Sequence, residues 1–477
     1  MKKRTVSVLL CVAMAMGLLA GCGTSNNAAS DSATAGTTTS QSTAGNEAET
    51  TVAEKSTTEG EEKEIITLKV AHNKDYVTIP EAILEAGARL NEKYAAEGKN
   101  IEIQFETDYQ QIDWTDYHNN IIFAHKGGEA PDIFTADADI AGYARAGVVM
   151  DVSELMTDAF VDGAFNACMV DGRAYAMPMD MPFRVIYYNK TDLINAGWSE
   201  AEVEALPDRI RTGEVTFYDF IDICQEVVDK GAAQYGLVHR PGAGNDFFDI
   251  INALGGVYYN EQNQLVMDSE VILEFYQMTY DNAQVKKITP DNLNQLGWDS
   301  INKMVGTGEA FAYYGPMFSA TYVANAAGLS TEEFAAQEAF VLFPTKAETR
   351  TPFAVGAPQA LAVSADTKYP EICMDILKEL TTDSADLMAR HASTIYTLSS
   401  VKQANEDPQI TEHPLLADVT YMTDYVVTPP SVDGLTAFRG YLFTEIVTLE
   451  LGQTTPEESL NNLKTQAELN IEGIVIQ

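Results

Sequence analysis

The strongest constraint on the fold is an alternation of strand-like and helix-like segments that begins near residue 66. Residues 66–72 alternate polar and β-forming apolar side chains, residues 101–105 are a second strand, and residues 131–134 start a third. The segments between them carry apolar residues at helical spacing and end at Gly98 and at Gly127 and Gly128. Strands that alternate with helices of this length predict a parallel, doubly wound α/β layer.

The position of a binding site follows from this architecture. In open α/β sheets, ligands bind beyond the carboxyl ends of the strands. The loops 72–78, 107–114 and 135–140 follow three predicted strands and are therefore expected to border any pocket.

The same alternation returns in the second part of the chain. Further strands are predicted at residues 185–188, 235–238, 310–314, 340–343 and 359–363. Further helices are predicted at residues 217–230, 369–382, 384–392, 436–451 and 456–472. Two α/β lobes fit 477 residues better than a single sheet does.

The first residues predict export from the cytoplasm. Three basic residues at positions 2–4 precede an apolar run over residues 6–20, which is shorter than the ~20 residues that a bilayer span needs. The run ends in Leu19-Ala20-Gly21-Cys22, which resembles a bacterial lipobox. This resemblance implies cleavage of a signal peptide, residues 1–21, and attachment of lipid to Cys22. An ordinary signal peptide with an incidental cysteine is the alternative.

Residues 22–64 are predicted to be a disordered tether behind the lipid. They are rich in Ser, Thr, Ala and Glu and have almost no large apolar residues from which a core could form. Beyond this segment three cysteines remain, Cys168, Cys224 and Cys373. Their odd number and wide spacing favour buried apolar side chains over a disulfide framework or a zinc site.

The charge balance limits the kinds of partner. The formal net charge is −40, from 30 basic and 70 acidic residues. Nucleic acids and anionic membrane surfaces are bound through basic surface, so the charge argues against a nucleic-acid partner and disfavours direct binding to an anionic membrane surface. Neutral or cationic ligands fit the charge better.

Six motifs, in order along the chain, resemble the extracellular solute-binding proteins of ABC importers, family 1, which includes the maltose-type sugar-binding proteins. They lie at residues 127–134 (GGEAPDIF), 147–152 (GVVMDV), 171–178 (DGRAYAMP), 187–197 (YYNKTDLINAG), 308–312 (GEAFA) and 451–460 (LGQTTPEESL). The resemblance implies a two-lobed periplasmic-binding-protein-like fold of type II, with a ligand cleft between lobes joined by hinge crossings.

The resemblance also implies how the chain divides. Residues 65–182 plus 353–400 are expected to form the N-terminal lobe, and residues 183–352 plus 401–477 the C-terminal lobe. The chain crosses between the lobes three times in this family. We expect these crossings near residues 181–185, 351–356 and 399–405.

The family implies a carbohydrate ligand. Sugars present apolar ring faces and a rim of hydroxyl groups, so their sites combine aromatic rings with Asp, Asn, Arg and Glu side chains. Residues of these types near strand ends or hinges are the candidates: Asn73, Tyr109, Trp114, Asp137, Asp139 and Asp180 in the first lobe, and Arg184, Asn245, Asp246, Phe247, Trp298, Tyr314 and Arg439 in the second.

Each candidate also has a structural alternative. Trp114 and Trp298 could pack on the helices that follow them, and Phe247 could belong to the core. Asp180 and Arg184 could serve structural ion pairs, and Arg439 could be a surface charge.

The expected function is a monomeric, lipid-anchored receptor on the outer face of the cell membrane, at a Gram-positive cell surface. It would capture a mono- or oligosaccharide and deliver it to ABC importer permease subunits, without a cofactor or metal. A receptor for peptides or cationic solutes is the alternative ligand assignment. A surface hydrolase is disfavoured because no nucleophile, zinc or phosphate-loop motif is present. A purely adhesive lipoprotein is the remaining alternative.

Overall fold

A computed structural model describes residues 63–73, 78–112, 114–136, 140–347, 350–356, 358–430 and 432–477. The predicted signal peptide, the lipidation site Cys22, and the tether up to residue 62 lie outside these residues. Asp137 and Asp139 lie outside them as well.

The described residues contain strands of two to ten residues. In chain order these are β1 Glu64–Asn73, β2 Ile101–Gln110, β3 Ile133–Ala136, β4 Met169–Val170, β5 Arg173–Ala174, β6 Met177–Pro178, β7 Asp180–Met181, β8 Arg184–Asn189, β9 Tyr235–Val238, β10 Val266–Met267, β11 Ala310–Pro316, β12 Glu338–Val341, β13 Ala354–Val355, β14 Ala360–Val363, β15 Leu398–Ser399, β16 Val426–Val427 and β17 Val475–Ile476.

The α-helices alternate with the longer strands. They are α1 Thr78–Ala96, α2 Trp114–Gly127, α3 Ile140–Arg145, α4 Lys190–Ala196, α5 Glu200–Arg211, α6 Phe217–Asp229, α7 Asp246–Ala253, α8 Ser269–Tyr280, α9 Trp298–Gly306, α10 Ser319–Ala327, α11 Thr331–Gln337, α12 Pro370–Thr381, α13 Ala385–Thr394, α14 Pro408–Thr411, α15 Leu435–Glu450 and α16 Pro456–Asn470.

The first sheet has five strands in the order β2-β1-β3-β14-β6. Strand β1 is parallel to β2 and to β3, which confirms the predicted parallel layer. Strand β14 returns antiparallel to β3 and pairs with β6 on its other side. Helices α1, α12 and α13 pack together beside this sheet and bury apolar faces against it.

The second sheet is centred on β8 and β11. Its strand order is β16-β13-β8-β11-β9, and β12 also pairs with β8. Strand β8 is antiparallel to β11 and β12, whereas β11 is parallel to β9. All six residues of β8 are buried, as expected for a central strand covered on both faces.

The chain passes between the two sheets at three places. Two residues separate β7 from β8, where the first crossing was expected, and the second passage lies between β13 and β14. The third passage was expected near residues 399–405. It follows α14 instead, because α14 still packs on α13 of the first sheet's layer. Only afterwards does Tyr421 lie under Arg211 of α5, with the guanidinium carbon 5.4 Å from the ring centroid.

The cysteines behave as the sequence predicts. Cys168, Cys224 and Cys373 are buried free thiols. Burial raises the pKa of the Cys168 thiol to about 12, so it remains protonated and inert at neutral pH. None of the helices in the described part of the chain is long and apolar enough to cross a bilayer.

Candidate functional site

A cavity of about 560 Å³ lies between elements of the two sheets. This volume is within the range of pockets that bind small molecules. The cavity is lined by Trp114, Pro182, Arg240, Trp298, Asp299, Asn302, Pro316, Phe318, Ser319, Thr321, Tyr322, Gln359 and Ile395.

Strand direction explains which residues of the first sheet reach the cavity. Trp114 begins α2, directly beyond the carboxyl end of β2. Gln359 precedes β14, whose first residue Ala360 pairs with Ala136 at the carboxyl end of β3. Because β14 runs antiparallel, its amino end lies at the edge where the parallel strands end. Both residues therefore lie at the edge where α/β sheets bind ligands.

The cavity residues of the second sheet also lie just beyond the ends of strands. Arg240 follows β9, and Phe318 and Ser319 follow β11, the strand parallel to β9. Pro316 pairs with Arg184 at the start of β8, so Pro182 of the first crossing lies at this edge as well. The carboxyl ends of β9 and β11 thus face the cavity together with the hinge.

Exposed aromatic side chains mark the cavity as a binding surface. Trp298 is 43% exposed and Tyr322 is 54% exposed, although both line a concave site. Trp114 is half-buried and lies on the other sheet's side, with its ring edge-on to Tyr117 at 5.4 Å between centroids. Aromatic faces that remain accessible in a cavity can stack on flat apolar surfaces of a ligand.

Polar groups alternate with these rings. Arg240 contributes guanidinium N–H donors, and Asn302, Ser319 and Gln359 contribute amide and hydroxyl groups. Asp299 supplies a carboxylate on the exposed side. The lining therefore combines ring faces with groups that bind hydroxyls.

A buried ionic network contacts Arg240 of the cavity lining. Arg184 donates two hydrogen bonds to Asp249, at 2.5 and 3.0 Å, and its Nε lies 3.8 Å from Asp246. Asp246 in turn accepts a hydrogen bond from Arg240 at 3.1 Å. Burial raises the pKa of Asp249 to about 6 even though the adjoining Arg184 favours its charged form.

Of the candidates from the sequence, Trp114 and Trp298 line the cavity. Asp246 and Arg184 do not line it and lie in the network behind Arg240. Asn245 accepts a hydrogen bond from Arg439 at 3.0 Å.

Phe247 and Tyr314 belong to the core and do not line the cavity. Both are at most 5% exposed, and their rings pack on each other at 6.4 Å between centroids. Phe247 also packs against Phe275 and Phe443, which hold it inside the layer of helices. Phe247 thus belongs to the core, which was the alternative interpretation of this residue, and Tyr314 belongs to the core as well.

Asp180 and Asn73 serve the framework of the first sheet. The carboxylate of Asp180 is 2.9 Å from His391 Nε2 and accepts a hydrogen bond from the backbone N–H of Gln359, which lines the cavity. Asn73 is buried and donates from its amide to the carbonyl of Ile112. Tyr109 is half exposed and packs beside His72, outside the cavity lining.

The sequence reasoning missed Arg240 and Tyr322. Arg240 stands two residues after the predicted strand 235–238, so the strand-end rule applied to it as well. Tyr322 lies on α10, which follows β11. The first turn of a helix after a strand is close enough to the sheet edge to contribute to the site, and candidates were sought only in loops.

The sequence profile of a family described as bacterial extracellular solute-binding proteins matches residues 72–386. The chain belongs to this family. Solved structures share the two-lobed α/β fold of this chain. Maltose-bound MalE3 of T. maritima covers 85% of this chain and 100% of its own length, with a TM-score of 0.64 and 17% identity. A cyclo/maltodextrin-binding protein complexed with maltotetraose has a TM-score of 0.65 and 16% identity, over 85% of this chain and 97% of its own.

Two characterised relatives match shorter stretches of this solute-binding protein. An arabinooligosaccharide-binding protein of Halalkalibacterium halodurans is 27% identical over 182 residues, which cover 36% of this chain and 37% of the relative. The maltodextrin-binding protein MdxE of Bacillus subtilis is 33% identical over 82 residues, covering 17% and 20%. The chain therefore matches well under two thirds of the length of either relative.

Proposed function

We propose that this solute-binding protein captures a carbohydrate, a mono- or oligosaccharide, in the cavity between its two sheets. The observation that carries the proposal is the set of accessible aromatic rings, Trp114 from one side and Trp298 and Tyr322 from the other. Sugar rings stack on such faces, and the N–H groups of Arg240 and Gln359 would bind their hydroxyl groups.

The relatives support a carbohydrate ligand. The two characterised relatives are named for arabino-oligosaccharides and maltodextrins, and two of the similar structures hold maltose and maltotetraose. These ligands are all neutral sugars or chains of them. Among the described residues that line the cavity, one arginine and one exposed aspartate balance each other in charge, which fits a neutral ligand.

The second step of the proposed function is closure. Since the cavity draws on both sheets, a ligand that contacts both sides stabilises the arrangement in which they are close together. The loaded protein then delivers its sugar to the permease subunits of an ABC importer. It performs no chemistry on the ligand, so the free energy of binding goes into closing the lobes.

Attachment to the membrane is the third part of the proposal. The basic residues 2–4, the apolar run 6–20 and Leu19-Ala20-Gly21-Cys22 favour a lipid on Cys22. Residues 23–64 would then link the binding domain to the outer face of the membrane. Mass spectrometry of the N-terminal peptide from cells tests this step: a diacylglyceryl-modified Cys22 supports it, and an unmodified Cys22 contradicts it.

Calorimetry with aromatic variants tests the binding site. We expect Trp298→Ala and Trp114→Ala each to weaken carbohydrate binding by about 10- to 100-fold, because each removes a stacking face. Phe123→Ala is the matched control: Phe123 is 65% exposed on the same helix as Trp114 and does not line the cavity. Full affinity in both tryptophan variants would contradict the site. Release of shortened sugar on long incubation would instead favour a hydrolase.

A further inference from the structure

Arg240, which also lines the cavity, lies over the ring of Trp298. Its guanidinium carbon lies 5.2 Å from the centroid of the Trp298 ring, the distance of a cation–π contact. Trp298 is nevertheless 43% exposed. One face of the indole is therefore covered by Arg240, and the accessible remainder belongs to the cavity.

Arg240 is also held by a buried ion pair. Its Nη1 donates to the buried carboxylate of Asp246 at 3.1 Å, and Asp246 is 1% exposed. Arg184 lies on the far side of Asp246, with its Nε 3.8 Å from that carboxylate. The buried carboxylate, itself flanked by Arg184, therefore restrains the guanidinium beside the indole.

The backbone beside Arg240 leaves room for its side chain. Gly244 is buried, and a Cβ built on it would overlap the Cδ, Nη1 and Nε atoms of Arg240. Gly244 has no left-handed backbone angle. Glycine is therefore required at position 244 because Arg240 occupies the space that a larger side chain would need.

We infer that Arg240 is a positioning residue, which holds the Trp298 indole as a fixed platform with a single face open to a sugar ring. The inference rests on the proposed function for the role of that open face. It assigns Gly244 and Asp246 to the support of the same platform, although neither of them lines the cavity.

The chain is suited to a direct optical test because it has three tryptophans. Replacing Trp114 and Trp198 with Phe leaves Trp298 as the only reporter. Acrylamide quenching of the ligand-free protein then measures how much of the Trp298 indole is accessible. This measurement does not depend on which ligand the protein binds.

Three substitutions in this reporter protein disrupt the contact between Arg240 and Trp298 in different ways. Arg240→Met removes the guanidinium, Gly244→Ala displaces it, and Asp246→Asn removes its anionic partner. Each is expected to raise the quenching constant of Trp298, by up to about twofold for Arg240→Met, because a covered indole face becomes accessible. Gly244→Ala keeps every charge and is the deciding variant if Arg240→Met does not fold.

Arg211→Met is the matched control. Arg211 also lies over an aromatic ring, Tyr421, at 5.4 Å, and also contacts an aspartate, Asp208, but it does not line the cavity. This variant is expected to leave Trp298 quenching unchanged. Unchanged quenching in folded Arg240→Met and Gly244→Ala proteins would overturn the inference.

Affinity provides the second readout, in the protein with all three tryptophans and with maltotriose and an arabinotriose as probes. Gly244→Ala is expected to weaken binding of the responsive sugar by about 3- to 30-fold, since a loosened platform must be ordered again on binding. Undiminished affinity despite raised quenching would overturn the inference. If neither sugar nor any other carbohydrate binds the unmodified protein, the proposed function fails, whereas the quenching result still decides whether Arg240 holds Trp298.

Discussion

Single buried carboxylates make this protein sensitive to pH at the residue scale. Asp192 is 5% exposed, and its Oδ2 has no hydrogen-bond partner among the described residues. Burial raises its pKa from an ordinary 3.8 to about 7. The native state therefore keeps a proton that the unfolded chain loses between these two pH values.

This shift predicts the effect of Asp192→Asn. Because the native pKa is raised, the contribution of Asp192 to stability is most favourable below pH 4 and is lost as pH rises towards 7. The amide does not titrate, so we expect the variant to be more stable than the unmodified protein at pH 8, by about 2–4 kcal/mol. The two proteins should differ little at pH 4. Urea unfolding at both pH values measures the difference.

A matched substitution separates this effect from the general charge of the protein. Asp158 is exposed, and Asp158→Asn removes the same formal charge. We expect it to change the free energy of unfolding by less than about 0.5 kcal/mol at either pH. A gain at pH 8 as large as that of Asp192→Asn would show that net charge, and not the burial of Asp192, is the cause.

The residue scale also shows how far the sequence could predict the site. Trp114 was predicted from its place in a polar loop after a strand, and Trp298 from its place after Gly297, just before a helix. Phe247 and Tyr314 have equally suggestive positions, yet both pack inward. Whether a ring faces a cavity or a core depends on packing between distant segments, such as Phe247 against Phe443, and local sequence does not contain that information.

At the scale of elements, helices α9 and α10 carry two of the three aromatic platforms. Trp298 begins α9 and Tyr322 lies on α10, and the two helices pack closely. A Cβ built on Gly306 would lie 2.7 Å from Ala327 Cβ and 2.8 Å from the carbonyl oxygen of Val323. The glycine therefore sets how closely the two helices approach.

We expect Gly306→Ala to force α9 and α10 apart and to destabilise the protein by about 1–3 kcal/mol, as overpacking does in well-packed cores. Carbohydrate affinity should fall as well, because the spacing of Trp298 and Tyr322 changes. Thermal unfolding and calorimetry measure the two effects.

Gly440→Ala is the control for Gly306→Ala. Gly440 lies within α15, and nothing lies within 4 Å of a Cβ built there. Because alanine is the better helix former, this variant should gain up to about 1 kcal/mol. If Gly306→Ala proves equally stabilising, the close approach of α9 and α10 has no energetic consequence.

Local sequence signals predicted most of the longer helices and strands. Helix α6 was predicted from Thr216, and the structure shows the complete capping box, in which Thr216 and Asp219 each bind the other's backbone N–H. The predicted helices 369–382 and 456–472 match α12 and α16 to within two residues. The late third crossing was missed because it depends on α14 packing against α13, a contact between elements.

At the scale of the whole molecule, the two sheets meet at the edges where their ligand-facing strand ends lie. The parallel pairing of β1, β2 and β3, and of β9 with β11, follows from the alternation of strands and helices that is visible in the sequence. The antiparallel return of β14 and the pairing of β13 with β8 were not predicted. These pairings join segments far apart in the chain, and they place Gln359 at the cavity.

The most direct test of a carbohydrate receptor is thermal unfolding of residues 63–477 against a panel of sugars, oligosaccharides, peptides and polyamines. A ligand at ~100 times its dissociation constant stabilises the native state by about 2.7 kcal/mol, a readable rise in melting temperature. The account predicts a rise with one class of carbohydrate, and a much smaller rise at the same ligand concentration in Trp298→Ala, whose stabilisation falls to about 0.4–1.4 kcal/mol. A rise with peptides or polyamines alone would contradict it.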